Sequence, residues 1–128
     1  MKATELRIGN LISDINGNLC LVKTIREDLI IAKHYGVGYC LGDKEQFNKV
    51  ELTEEWLLRF GFEKAPLVDK YLKGYFTYDS KLKYFTYFTD IEDGGYENII
   101  IQKEKLKYVH QLQNLYFALT GEELILKN

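Results

Sequence analysis

Histidine and cysteine are scarce in this chain, two of each in 128 residues, and that removes most ways of doing chemistry. No Gly-x-Ser-x-Gly run occurs, and the two serines, Ser13 and Ser80, fall at a strand end and in a turn. A nucleophile, a base and an orienting acid have no evident set from which to assemble. No C-x-x-C or H-x-x-x-H pair is present. Cys20, His34 and Cys40 offer at most three soft ligands, short of the four in paired spacings that structural zinc uses. Neither catalytic residues, nor a metal site, nor a cofactor are expected. Gly36, Gly38 and Gly42 have the wrong spacing for a phosphate loop, with no clear helix behind them to aim its N–H groups at a phosphate. Glu54 and Glu55 are successive helix positions about 100° apart, so they do not form a carboxylate pair.

Charge of one sign is also missing. Seventeen basic residues face nineteen acidic ones, a net charge of −2, without the basic excess of a duplex-DNA reader. No apolar run approaches the ~18 residues of a membrane span. Met1 to Arg7 has no apolar segment, so no signal peptide is expected. The expected location is the cytoplasm, where Cys20 and Cys40 would stay free thiols. What remains is 46% hydrophobic and 28% charged, the composition of an ordinary folded domain. With a single proline, Pro66, and no Pro/Gly/Ser linker, residues 1–128 read as one domain.

The first half reads as strands. Leu6–Ile15 and Asn18–Ile25 flank Asn16-Gly17, a type I′ hairpin signal. Leu29–Lys33 follows, with Gly36–Gly42 as a bent or bulged continuation and Lys49–Leu52 as a last short strand. Short curved strands over 1–52 predict an SH3-like sheet or small barrel. Thr53 then caps a two-turn helix, with Leu52 and Leu57 as a hydrophobic staple and Gly61-Phe62 as its C-terminal fold-back. Tyr71–Tyr78, Leu82–Ile91 and Tyr96–Gln102 predict a three-stranded antiparallel meander, with turns at Asp79-Ser80-Lys81 and Asp93-Gly94-Gly95. Leu106–Thr120 has helical spacing and ends at Gly121. The expected class is α+β, residues 53–128 forming an α-β-β-β-α part that shares the core of 1–52.

Three blocks, Met1–Leu11 (MKATELRIGNL), Leu52–Phe62 (LTEEWLLRFGF) and Tyr108–Leu124 (YVHQLQNLYFALTGEEL), resemble a family of small proteins carried by gut-type anaerobic bacteria, their prophages and phages. The resemblance implies a phage or mobile-element context. It implies no reaction, and no catalytic residue carries over.

Two surfaces are candidates for binding. Tyr75, Phe76, Tyr78, Tyr84, Phe85, Tyr87 and Phe88 lie on adjacent strands, and alternation puts rings on both faces. With Lys73, Lys81 and Lys83 nearby, Tyr75, Tyr84, Phe85 and Tyr87 could stack nucleic-acid bases or a nucleotide; cross-strand ring pairing that stabilises the sheet accounts for most of the stretch. The last helix carries no charge from Tyr108 to Thr120. Opposite its apolar stripe lie His110, Gln113, Asn114 and Phe117, where a surface helix would show lysines and glutamates. That face is either buried within the chain or meets a protein partner or a second copy. The leading expectation is a non-enzymatic protein-binding or accessory factor, such as an inhibitor of a host system. The alternative is a nucleic-acid or nucleotide binder using the aromatic strands.

Overall fold

The computed structural model describes residues 5–27, 29–36, 38–90 and 96–127. The chain is a mixed α+β protein and divides into two compact units. One is Met1–Glu51 with Tyr108–Leu124; the other is Leu52–Lys107 with Ile125–Asn128.

The first unit holds an antiparallel sheet of β1 (Leu11–Asp14), β2 (Leu19–Arg26), β3 (Leu29–His34), β4 (Tyr39–Asp43) and β5 (Phe47–Asn48). Their order is β4-β3-β2-β1-β5, so the last strand returns beside the first. The sheet curls as a half-barrel, and a register shift between Val22 and Thr24 in the β2–β3 pairing adds local twist. The core cluster inside this unit is mostly aliphatic: Leu6, Ile12, Cys20, Val22, Ile30 and Ala32, with Phe47 as its single ring.

Two local expectations change here. The β1–β2 turn is not type I′, because Gly17 has positive φ (84°) and Asn16 does not. The Asp14 carbonyl accepts from Gly17 N at 3.1 Å, and Asp14 N donates to the Asn18 carbonyl at 2.9 Å. The result is a three-residue loop with glycine at its left-handed position. Gly36–Gly42 is not a continuation of β3 but a reversal and a new strand, paired from Lys33↔Tyr39 to Leu29↔Asp43.

The unit is completed by α2 (Val109–Thr120), which lies against β1 although it follows the second sheet in sequence. Its first turn starts three residues later than expected, because Tyr108 is extended and stands at the N-cap, its N–H donating to Gln111 Oε1 at 3.1 Å. The strand expected at Lys49–Leu52 reduces to one bridge, Glu51↔Tyr108.

The second unit holds α1 (Glu54–Arg59), β6 (Glu63–Lys64), β7 (Lys70–Lys73), β8 (Phe76–Asp79), β9 (Tyr84–Asp90) and β10 (Tyr96–Gln102). Leu52 and Leu57 are both buried, as a staple requires. Phe62 N donates to the Leu57 carbonyl and Gly61 N to the Leu58 carbonyl, the paired C-terminal bonds of a Schellman motif. Thr53 stands at the N-cap, but its side chain makes no capping bond.

The strands form a simple meander, β10-β9-β8-β7-β6, of five strands rather than three. The run Tyr71–Tyr78 folds back on itself: Lys73 pairs with Phe76 around Gly74 (φ 57°) and Tyr75. A positive φ at the first of two turn residues demands glycine and matches the twist of the flanking strands. The turn expected at Asp93-Gly94-Gly95 lies outside the described residues.

Candidate functional site

The polar face of α2 is occupied within its own unit. Gln113 is buried; its Oε1 accepts from Leu11 N at 2.8 Å and its Nε2 donates to the Gly9 carbonyl at 3.1 Å. Asn114 Oδ1 accepts from Asn10 Nδ2 at 2.8 Å and from Arg7 Nε at 3.2 Å, while its Nδ2 donates to the Glu5 carbonyl at 3.0 Å. The two amides thus bind the backbone of the segment leading into β1, which explains why no charged residue stands there: a buried amide can satisfy both a donor and an acceptor. Phe117 is 39% exposed, with the Arg7 guanidinium 4.4 Å from its ring centre, and Arg7 in turn pairs with Glu123 at 2.6 Å.

His110 is 1% exposed, and neither ring nitrogen has a hydrogen-bond partner. The Glu5 carboxylate is 3.7 Å from Nε2, and the Tyr108 ring stacks on the imidazole at 6.1 Å. Burial holds the His110 pKa below the ordinary histidine value, against the upward pull of Glu5.

The four candidate aromatic residues separate onto different surfaces. Phe85 is fully buried and stands opposite Tyr78, ring centres 4.5 Å apart. Tyr87 shares that face and meets Phe76 at 5.5 Å. Tyr75 sits in the β7–β8 turn, 63% exposed. Tyr84 points to the other face. The aromatic face is therefore the filled one: Phe76 packs edge-on with Phe62 and Phe85, a geometry that ring quadrupoles favour, and Tyr78 meets Tyr71 at a tilt. Burial, then the bond it donates to Glu54 Oε2 at 3.1 Å, raises the Tyr71 phenol above its ordinary pKa.

The opposite face of the same sheet is open. Register aligns Leu72, Thr77, Thr86 and Ile100 across four strands, with Phe88 beside Asn98. Leu72 and Phe88 are each nearly 40% exposed and Ile100 is 65% exposed. A shallow cavity of about 370 Å³ lies over these residues, bordered by Lys70, Asp79 and Tyr84.

A third constellation was not expected from the sequence. Cys20 and His34 are direct cross-strand partners of β2 and β3. Asp14, at the end of β1, reaches His34 Nε2 through Oδ2 at 3.0 Å. One ligating atom from each of Asp14, Cys20 and His34 lies within 4.8 Å of the other two. The Asp14 carboxylate is fixed by the turn that follows it, accepting from Asn16 N, Asn18 N and Asn18 Nδ2. These bonds, led by the Asn18 backbone N–H, lower its pKa to about 2. Burial first, then the Asp14 charge, raises the Cys20 thiol to about 11, so it is not a nucleophile at neutral pH. Cys40 is also a free thiol, half-buried against the same core. The available signal for Asp14 was Asp-x-Asn-Gly, an aspartate placed to accept from the backbone of its own turn.

Among the described residues no helix is long and apolar enough to cross a membrane. No family of proteins, no curated protein and no solved structure matches this chain.

Proposed function

We propose that this chain is a small non-enzymatic binding protein of phage or mobile-element origin, acting in the cytoplasm, that holds a protein partner on the open face of its second sheet. The observation that carries the reading is the contrast between the two faces of that sheet. One is filled by closely packed rings, while the other leaves Leu72, Phe88 and Ile100 exposed around a shallow cavity. An apolar centre with a mixed-charge rim, here Lys70 beside Asp79, is the anatomy of a protein–protein contact. The partner it fits carries an apolar patch of its own. The phage context rests on the resemblance of the three sequence blocks, and the cytoplasm on the free thiols Cys20 and Cys40. The order β4-β3-β2-β1-β5, with β5 beside β1, supports an SH3-like assignment for the first sheet.

Base stacking is the weaker reading, because Phe76, Tyr78 and Phe85 are turned into the filled face and cannot reach a ligand on the open one. The test is a photo-crosslinking residue at position 100, in cells that carry the gene. The expected result is one protein adduct whose reconstituted complex is weakened at least about tenfold by Ile100→Glu. A complex indifferent to Ile100→Glu would overturn the reading. Salt-dependent binding of single-stranded RNA or DNA that is lost in Tyr84→Ala would move the function to nucleic acid.

A further inference from the structure

We propose that Asp14, Cys20 and His34 form a three-ligand site for a zinc-class divalent metal ion at one end of the curled sheet, distinct from the open face of the second sheet. The donor set is mixed carboxylate, thiolate and imidazole, a combination that suits zinc and cobalt(II) better than calcium or magnesium.

Geometry carries the argument. Zinc takes nitrogen and oxygen at about 2.0–2.2 Å and sulfur at about 2.3 Å, so tetrahedral ligand atoms stand roughly 3.3–3.6 Å apart. Asp14 Oδ2 and His34 Nε2 are 3.0 Å apart, and every pair in the set is within 4.8 Å. Small side-chain adjustments reach the required spacing. All three positions are fixed by the sheet. Cys20 and His34 share a cross-strand pair, Ile12 of β1 pairs with Cys20, and Asp14 follows two residues after Ile12 on the same face.

The surroundings supply what a metal site needs beyond its ligands. Asp14 Oδ1 accepts from Asn16 N and Asn18 N, both at 2.9 Å, which orients the carboxylate and leaves Oδ2 toward His34. Such outer-shell bonds set ligand direction. A cavity of about 310 Å³, lined by Asn18, Leu19, His34, Tyr35 and Gly36, opens on the His34 side of the set and has room there for a water as fourth ligand. On binding, the ion takes the place of the proton between His34 and Asp14. That proton moves to the other ring nitrogen, Nδ1, and the Cys20 thiol releases one proton to solvent. The metal keeps its oxidation state, and three protein bonds form to it.

The test is titration of the chelator-stripped protein with cobalt(II) and then zinc. One equivalent of cobalt(II) is expected to give tetrahedral d–d absorption together with a thiolate-to-metal charge-transfer band, both displaced by zinc. Cys20→Ala abolishes the charge-transfer band, Cys40→Ala leaves it intact, and Asn18→Ala weakens binding about tenfold through Asp14. A wild-type titration with no charge-transfer band overturns the site without need of any variant. So does a band that survives Cys20→Ala and disappears in Cys40→Ala.

Discussion

The two units fill their interiors with different chemistry. Among the described residues, Asn10, Asp14, His110 and Gln113 are buried polar groups of the first unit, and Asp79 is that of the second. The first sheet covers its inner face by curling, with β5 returning beside β1. Its core cluster is mostly aliphatic, with Leu, Ile, Val, Ala and Cys around the single ring of Phe47, and the amides of α2 bind the backbone that enters β1. The second sheet is a plain meander that does not close, and one face is packed with phenyl and phenol rings. Asp79 fits this division, because it works at the rim, accepting from Lys81 N and Leu82 N in the β8–β9 turn. The curled sheet still leaves Leu29, Tyr39 and Leu41 exposed along β3 and β4; the meander, with one face filled, leaves its whole other face to solvent or to a ligand.

The largest effect that would sharpen this comparison lies in the ring-packed face. Phe85 is fully buried between Phe76 and Tyr78. Phe85→Ala is expected to cost about 3–5 kcal/mol through lost transfer energy and a cavity, read as a fall in the urea midpoint. Its neighbour Thr86, on the open face, gives the control: Thr86→Ala is expected to shift stability by no more than about 0.5 kcal/mol. Equal losses at 85 and 86 would mean that both faces are packed and that the sheet is not one-sided.

The polar interior of the first unit breaks next. Gln113→Leu keeps the volume roughly constant but leaves Leu11 N–H and the Gly9 carbonyl without their partners. Each buried, unpaired backbone group costs about 1–3 kcal/mol, so with two such groups a loss of at least about 2 kcal/mol in chemical denaturation is expected. Stability within error of wild type would show that these amides are dispensable and that the first unit is held by its apolar core alone.

The elements legible in the sequence are those whose signals are local. Leu52, Leu57, Gly61 and Phe62 mark both ends of α1 within eleven residues, and the bonds Phe62 N to Leu57 and Gly61 N to Leu58 follow. Alternation alone puts Tyr84 and Phe88 on one face and Phe85 and Tyr87 on the other, since a strand's two faces depend only on parity. What was not legible depends on pairing. Nothing within Tyr71–Tyr78 distinguishes a strand with an internal glycine from a hairpin; the partner β6 and the pairing Lys73↔Phe76 decide it. The Asp14–Cys20–His34 constellation spans three strands, so it exists only once the register Cys20↔His34 is set. The charge-free face of α2 was visible as a composition, but its meaning lay a hundred residues away, in the backbone of Gly9 and Leu11.

The smallest effect separates the polar interior of the first unit by pH. His110 is buried beside Tyr108, with Glu5 at 3.7 Å, and Lys49 pairs with the same carboxylate at 3.8 Å. Burial outweighs Glu5 and holds the imidazole pKa below its ordinary value of about 6.5. In the fold His110 therefore stays neutral as pH falls through that value, while in the unfolded chain it takes up a proton. The unfolded state then binds more protons, so stability falls with falling pH in this window. Asp14 acts lower on the scale: its stabilisation is present above the ordinary aspartate range and is lost as pH falls toward 2. Comparing wild type with His110→Leu between pH 5 and 7.5 isolates the histidine. At pH 7.5 the two should be nearly equal, since both ring nitrogens lack partners and removing an unpaired polar group leaves nothing unsatisfied behind. At pH 5 His110→Leu should be the more stable. If the difference reverses, with wild type gaining as pH falls, His110 is charged against Glu5 in the fold, and the interior of the first unit holds an ion pair rather than a neutral ring.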